Sequence, residues 1–172
     1  MTYVNSFAPI EGKSARILIL GTMPGIASLT AGQYYAHPRN AFWKIISTII
    51  GCSATAHYED RVALLERSHI ALWDVLESCV RPGSMDTDID KRSVKPNNIA
   101  ALLERQPGIT TICFNGGGAE KLFKKHVLPM LEDKPFRYIQ LPSTSPAYAS
   151  MPLEEKMMIW RSAICTSQLK AA

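Results

Sequence analysis

The chain has 172 residues, of which 47% are hydrophobic and 20% charged, with a formal net charge of +4. This is the composition of a folded domain rather than of a disordered segment, and residues 1–172 are expected to form one domain with a substantial core. No apolar stretch approaches the ~18 residues of a membrane-spanning helix, so no membrane partner is expected. The opening residues Met1-Thr-Tyr-Val-Asn-Ser6 lack the basic and apolar regions of a signal peptide, which makes the cytoplasm the expected location. The mild positive charge permits a polyanionic partner without demonstrating one. Cys52, Cys79, Cys113 and Cys165 are scattered without a CxxC pair, a pattern of buried thiols rather than of a metal cluster, and no metal is expected.

In chain order, Arg16–Leu20 reads as a strand running into the turn Gly21-Thr22-Met23-Pro24-Gly25. After Asn40, apolar Phe42, Trp43, Ile45, Ile46, Ile49 and Ile50 fit a largely buried helix. Asp60–Ser68 reads as an amphipathic helix leading into a second strand, Ile70–Trp73, which ends on Asp74. Gly83–Ser93, polar and carrying charges of both signs, reads as a surface loop. Pro96-Asn97-Asn98 opens a helix with Ile99, Leu102 and Leu103 on its apolar side, ending near Pro107-Gly108. A third strand, Thr111–Phe114, runs into Asn115-Gly-Gly-Gly118, and a helix is expected over Ala119–Leu131. The fourth strand, Arg137–Leu141, runs into Pro142-Ser-Thr-Ser-Pro146. The last helix, Leu153–Leu169, follows Pro152 and carries Glu154 and Glu155 in its first turn, as the helix dipole favours.

Alternation of strands and helices implies a mostly parallel α/β sheet with right-handed crossovers. In such sheets ligands bind outside the carboxyl ends of the strands. The four turns therefore fall on one rim. The glycine turn after the first strand lacks the third glycine of a dinucleotide fingerprint and the Gly-Lys-Ser/Thr of a phosphate loop. The segment Gln33-Tyr-Tyr-Ala-His-Pro-Arg-Asn-Ala-Phe-Trp-Lys44 crowds aromatic, basic and amide groups at the entry to the first expected helix. That mixture suits stacking on a base and holding its backbone.

Gly21-Thr-Met-Pro-Gly25, Tyr35-Ala-His-Pro-Arg-Asn-Ala-Phe-Trp43 and Leu141-Pro-Ser-Thr-Ser-Pro-Ala147 resemble the uracil-DNA glycosylase superfamily, most closely its hypoxanthine-DNA glycosylase branch. The resemblance covers about residues 14–160. It implies a three-layer αβα sandwich with a central four-stranded parallel sheet. The implied activity is hydrolysis of the bond between a deaminated base and deoxyribose in DNA, by a monomer that needs no cofactor. A base must leave the stack to be reached, at a cost of a few kcal/mol.

The resemblance places Tyr35 as the aromatic that stacks on the flipped base, with Gly21, Thr22, Met23, Pro24, Asp74 and Ser143 as the remaining substrate-binding residues. Most relatives carry Asn or Asp at the third position of the first motif to hold the attacking water. Met23 stands there in this chain and can neither donate nor accept usefully. The resemblance moves catalysis to Asn40, whose amide can position water but is a feeble base. Asn is also an ordinary helix N-cap, so both roles stand open for Asn40. Asp74 aligns with a base-reading amide of relatives and can accept from N1–H of hypoxanthine, or can be a structural partner of loop amides. Arg39, Lys44, Ser143, Thr144, Ser145, Pro146 and Tyr148 are the candidate DNA contacts, with Tyr148 or Met151 as a plug for the vacated stack. The glycine turn after Asn115 is either a plain strand–helix turn or an approach to phosphate. His37 is either an orienting partner or a catalyst, and Cys113 is core.

Overall fold

A computed structural model of the chain describes residues 3–131 and 134–169. Four parallel strands, β2 (Ile17–Gly21), β3 (Ile70–Asp74), β6 (Thr111–Asn115) and β7 (Arg137–Leu141), form one sheet in the order β3-β2-β6-β7. Ile17 pairs with both Ile70 and Thr111, so the strands run in near-perfect alignment and their last residues share one rim. Every residue of β2 and β3 is buried, as a central strand and a covered edge require. The β3 edge is closed by Ile10, whose N–H and C=O exchange bonds of 2.9 and 2.8 Å with Leu72.

The chain passes from β2 to β3 in one direction, then crosses back over β2 to β6 and on to β7. With right-handed crossovers, that reversal puts α1 (Ile26–Ala31), α2 (Phe42–Ile50) and α3 (Tyr58–Arg67) on one face, and α4 (Ile99–Arg105) and α5 (Gly117–His126) on the other. The last helix, α6 (Leu153–Leu169), packs on α2 and against β2 and β7. The three-layer α/β sandwich expected from the sequence is the observed fold. The switch point of the strand order lies between β2 and β6, where ligands are bound in such sheets.

A second, antiparallel sheet, β1 (Tyr3–Asn5), β4 (Leu76–Val80) and β5 (Lys95–Pro96), was not expected. Its middle strand follows β3 after a single residue, Val75, so one continuous run serves two sheets. Asn97 staples the junction: its Nδ2 donates to the carbonyls of Asp74 and Leu76 at 2.9 and 3.0 Å. The helix at 96–107 is shorter than expected. It is α4, capped by Asn98, whose side chain accepts from Ala101 N at 3.1 Å. The Ala119–Leu131 expectation resolves into α5 and a separate 3-10 turn at Leu128–Met130, which contains Pro129. Only two of the cysteines are buried, Cys79 and Cys113; Cys52 is half-buried and Cys165 is exposed. Gly83–Ser93 is also more than a surface loop, because it carries a 3-10 turn at Asp86–Asp88 and reaches the rim. Among the described residues no helix is long and apolar enough to cross a membrane.

Candidate active site

A cavity of about 180 Å³ opens at the rim, lined by residues from all four strand ends. That is below the ~300–1,000 Å³ of sites for drug-sized ligands and suits one flat ring system.

The first wall is the turn after β2. Gly21, Thr22, Met23 and Pro24 are all buried and all line the cavity. Their backbone is tied from outside. Val75 N and Leu76 N donate to the carbonyls of Gly21 and Thr22 at 2.8 and 3.2 Å. Arg81, only 2% exposed, donates from its guanidinium to the carbonyls of Met23 and Pro24. Met23 is 7% exposed, a packing residue of the wall. Gly21 has to be glycine: a Cβ there would lie 2.7 Å from the Tyr35 hydroxyl and 2.5 Å from Asp74 Oδ1.

Asp74 forms the floor. It is 3% exposed and accepts from Ser6 Oγ at 2.8 Å. Burial pushes its carboxyl up to about 7; Asp86 pushes the same way, while the Ser6 bond and Arg81 oppose them. A carboxyl so placed exchanges its proton near neutral pH.

Tyr34 and Tyr35 both face the cavity, although one ring suffices for stacking. Tyr34 is the anchored one, 3% exposed, its hydroxyl donating to Ala8 O at 3.0 Å and its carbonyl accepting from Trp43 Nε1 at 2.7 Å. Tyr35 adopts a left-handed backbone (φ 55°), unusual for a bulky residue, and stacks on Phe42 with centroids 4.0 Å apart. Its hydroxyl is buried and makes no hydrogen bond of ordinary geometry. Burial and the Asp74 charge raise its pKa well above the usual phenol range.

Asn40 lines the cavity, and its Oδ1 accepts from Phe42 N at 2.9 Å. The N-cap residue of α2 is Ala41, which makes no side-chain cap bond; Asn40 stands one position earlier and ties the turn to the first helical N–H while facing the site. His37 Nδ1 accepts from Arg39 N at 3.1 Å and His37 O from Asn40 N at 2.8 Å, so His37 shapes this turn. Arg39 is exposed beside the mouth, and Lys44 is exposed on α2.

The last wall is the loop after β7. Ser143, Thr144, Ser145 and Pro146 line the cavity, and Tyr148 projects with 39% exposure. Thr144 differs from the expectation of a DNA contact. It is 1% exposed and locked to Asn115 by two bonds of 2.9 Å, so it roots the loop instead. Gly116 has φ 95° and would bring a Cβ to 3.0 Å from Ser143 Cβ; glycine there serves the turn and the close approach of the loop. Lys156 donates to Tyr148 O, and its ammonium lies 4.9 Å from the Tyr148 ring centre.

Ser6, Arg81 and Asp86 were not expected from the sequence, and Asn115, expected on the rim, was not expected to hold Thr144. Asp86 lines the cavity and accepts from Thr22 Oγ1 at 2.9 Å. None of these contacts carries a local signal beyond polarity, because the partners lie far along the chain.

The family model of the uracil DNA glycosylase superfamily matches residues 9–163. The chain belongs to the uracil DNA glycosylase superfamily. As a member it is a hydrolase of N-glycosidic bonds in DNA, and its substrate is DNA. It is similar to two curated proteins named hypoxanthine DNA glycosylase. The one from Methanosarcina barkeri is 37% identical over 111 residues, 64% of this chain and 69% of that protein. The one from Methanosarcina acetivorans is 33% identical over 142 residues, 82% of this chain and 85% of that protein. Among solved structures, this glycosylase is similar to the solution NMR structure of a "putative Uracil DNA glycosylase" from Methanosarcina acetivorans. The TM-score is 0.79 at 28% identity, over 97% of this chain and 99% of that one.

Proposed function

We propose that the enzyme is a monofunctional glycosylase that flips a deaminated base, hypoxanthine first, into this cavity and hydrolyses its bond to deoxyribose, leaving an abasic site. The observation that carries this reading is the buried carboxyl of Asp74 at the cavity floor. Hypoxanthine offers N1–H beside O6. An ionised Asp74 accepts from N1–H, and a protonated one also donates to O6, so the residue meets this edge in either state. The names of the two curated relatives support the same base. Uracil offers the same donor–acceptor pair at N3–H and O4 and is the second substrate to test.

The remaining assignments follow. The free face of Tyr35 stacks on the base, since Phe42 covers the other. Asn40 orients the water through its amide while its Oδ1 accepts from Phe42 N. Gly21, Thr22, Met23, Pro24 and Ser143 enclose the base. Arg39, Lys44, Ser143, Ser145 and Pro146 hold the DNA backbone, with Tyr148 as the plug. Among the described residues no lysine lines the cavity, which supports hydrolysis by water rather than by an amine nucleophile. The proposal is of a single-domain monomer acting in the cytoplasm without cofactor or metal.

A duplex with one deoxyinosine tests it. Cleavage of the strand only after alkali is the expected result. Cleavage without alkali overturns the monofunctional assignment, and a retained but uncut duplex makes the protein a lesion binder. Parallel xanthine and uracil duplexes rank the bases.

A further inference from the structure

Two carboxyl groups reach one cavity, and reading a base edge needs only one. Asp74 rises from the end of β3, buried beneath Gly21. Asp86 comes from the loop after β4, 65 residues beyond Gly21, and enters from the side. The loop is fastened to the first turn twice, by Thr22 Oγ1 to Asp86 Oδ2 at 2.9 Å and by Ile26 N to Ser84 Oγ at 3.0 Å. Gly118 leaves room for it: any Cβ there would strike the Asp86 carboxylate. Among the described residues Thr22 is the one hydrogen-bond donor to that carboxylate, and Asp86 lines the cavity although the residue as a whole is solvent-exposed. The Tyr35 hydroxyl, buried and unpaired, feels both carboxylates.

Cleavage of an N-glycosidic bond makes C1′ cationic and sends the bonding pair into the base, and carboxylates facing the sugar assist such reactions. Asn40 can orient water but cannot take its proton, and Met23 can do neither. We propose that Asp86 is a catalytic carboxylate of this glycosylase, facing the deoxyribose and accepting the proton of the attacking water. The water oxygen bonds to C1′, its proton passes to an Asp86 oxygen, the C1′–N9 bond breaks, and its electron pair leaves on the base. Asp74 stays with the base edge. The division is the familiar one of two carboxyls given different tasks by different surroundings. The inference rests on the hydrolytic reading above and adds to it the group that receives the proton.

Asp86→Asn keeps an oxygen for the Thr22 hydroxyl and removes the charge. Single-turnover cleavage of a deoxyinosine duplex is measured across pH for wild type, Asp86→Asn and Asp86→Glu, together with affinity for an uncleavable 2′-fluoro duplex. The wild-type rate should rise with pH as Asp86 ionises. Burial of the carboxyl opposes that ionisation most, and Asp74 opposes it too, while the Thr22 hydroxyl and Arg81 favour it; Tyr35 and Cys79 face it as neutral groups. Asp86→Asn should be at least 100-fold slower and lose that rise, with unchanged affinity and melting temperature, and Asp86→Glu should restore part of the rate. An active wild type with Asp86→Asn within threefold of it, or slowed equally at every pH with weakened binding, overturns the inference alone. A wild type that cuts no deaminated base overturns the hydrolytic reading and the inference together. Should Asp86→Asn fail to fold, a rise in the Asp86→Glu rate displaced along pH supports the inference, and an undisplaced one overturns it.

Discussion

The turn after β2 and the loop after β7 close the same cavity and are built in opposite ways. The first is buried from Gly21 to Pro24, clamped from behind by Arg81, Val75 and Leu76 and held at the cavity side by Asp86. The second is buried only at its root, through Thr144 with Asn115 and Pro142 O with Trp160 Nε1 at 2.9 Å, and becomes exposed from Ala147 onward. Charge development on a base needs fixed, dry walls, where dipoles act at low dielectric. Contact with a DNA groove needs a part that projects. Rigidity at one wall and projection at the other divide chemistry from grip.

The largest expected effect belongs to the buried floor. Burial holds the folded-state pKa of Asp74 at about 7, above its ordinary 3.8. The folded chain therefore binds this proton more tightly than the unfolded one. The stability so contributed is complete below about pH 4 and is lost as pH rises towards and through 7. Asp74→Asn should remove roughly 4 kcal/mol of that pH dependence, on the scale of ~1.4 kcal/mol per pKa unit. Urea titrations at pH 4 and pH 8 measure it, and parallel losses in wild type and variant would refute the assignment.

Next is Asn40, where catalysis and local structure separate. Asn40→Ala should slow single-turnover cleavage about 100-fold or more, the ~3 kcal/mol of a lost transition-state contact. Its stability should fall by only ~1 kcal/mol, the worth of the one hydrogen bond to Phe42 N. Wild-type rates in this variant would leave Asn40 only its structural bond to Phe42 N.

The root of the projecting loop comes third. Asn115→Ala strands the Thr144 amide and should cost about 1–3 kcal/mol in urea unfolding. If the two walls are independent, DNA affinity should suffer more than the rate at saturating enzyme; the reverse pattern would break the distinction between them.

The smallest effect is expected at the tip. Tyr148→Ala should leave the melting temperature unchanged and weaken duplex binding roughly three- to tenfold, about 1 kcal/mol. An unaltered affinity would mean that Tyr148 does not enter the DNA.

Much of this was legible in the chain. Ile17–Gly21, Ile70–Asp74 and Thr111–Asn115 lie within one residue of the expected strands, Arg137–Leu141 coincides with its expected span, and Leu153–Leu169 is a helix as its periodicity predicts. Short apolar runs between helical segments specify strands locally, and aligned parallel strands must bring their terminal turns together. Hence Gly21 to Pro24, Tyr35, Asn40, Asp74 and Ser143 meet in one cavity. The second sheet was hidden because β1 and β5 have three and two residues, too short for a periodicity.

What the sequence by itself determined was the α/β order of elements and the rim on which the turns gather, since both follow from patterns a few residues long. Only the tertiary structure decided which polar groups enter the site. Ser6 reaches Asp74 across 68 positions, Asp86 reaches Thr22 across 64, and Asn115 reaches Thr144 across 29. A polar residue in a loop looks solvated until folding closes the chain around it. Burial then turns an ordinary aspartate into a group poised near neutrality, and an apparent surface loop into a wall of the active site.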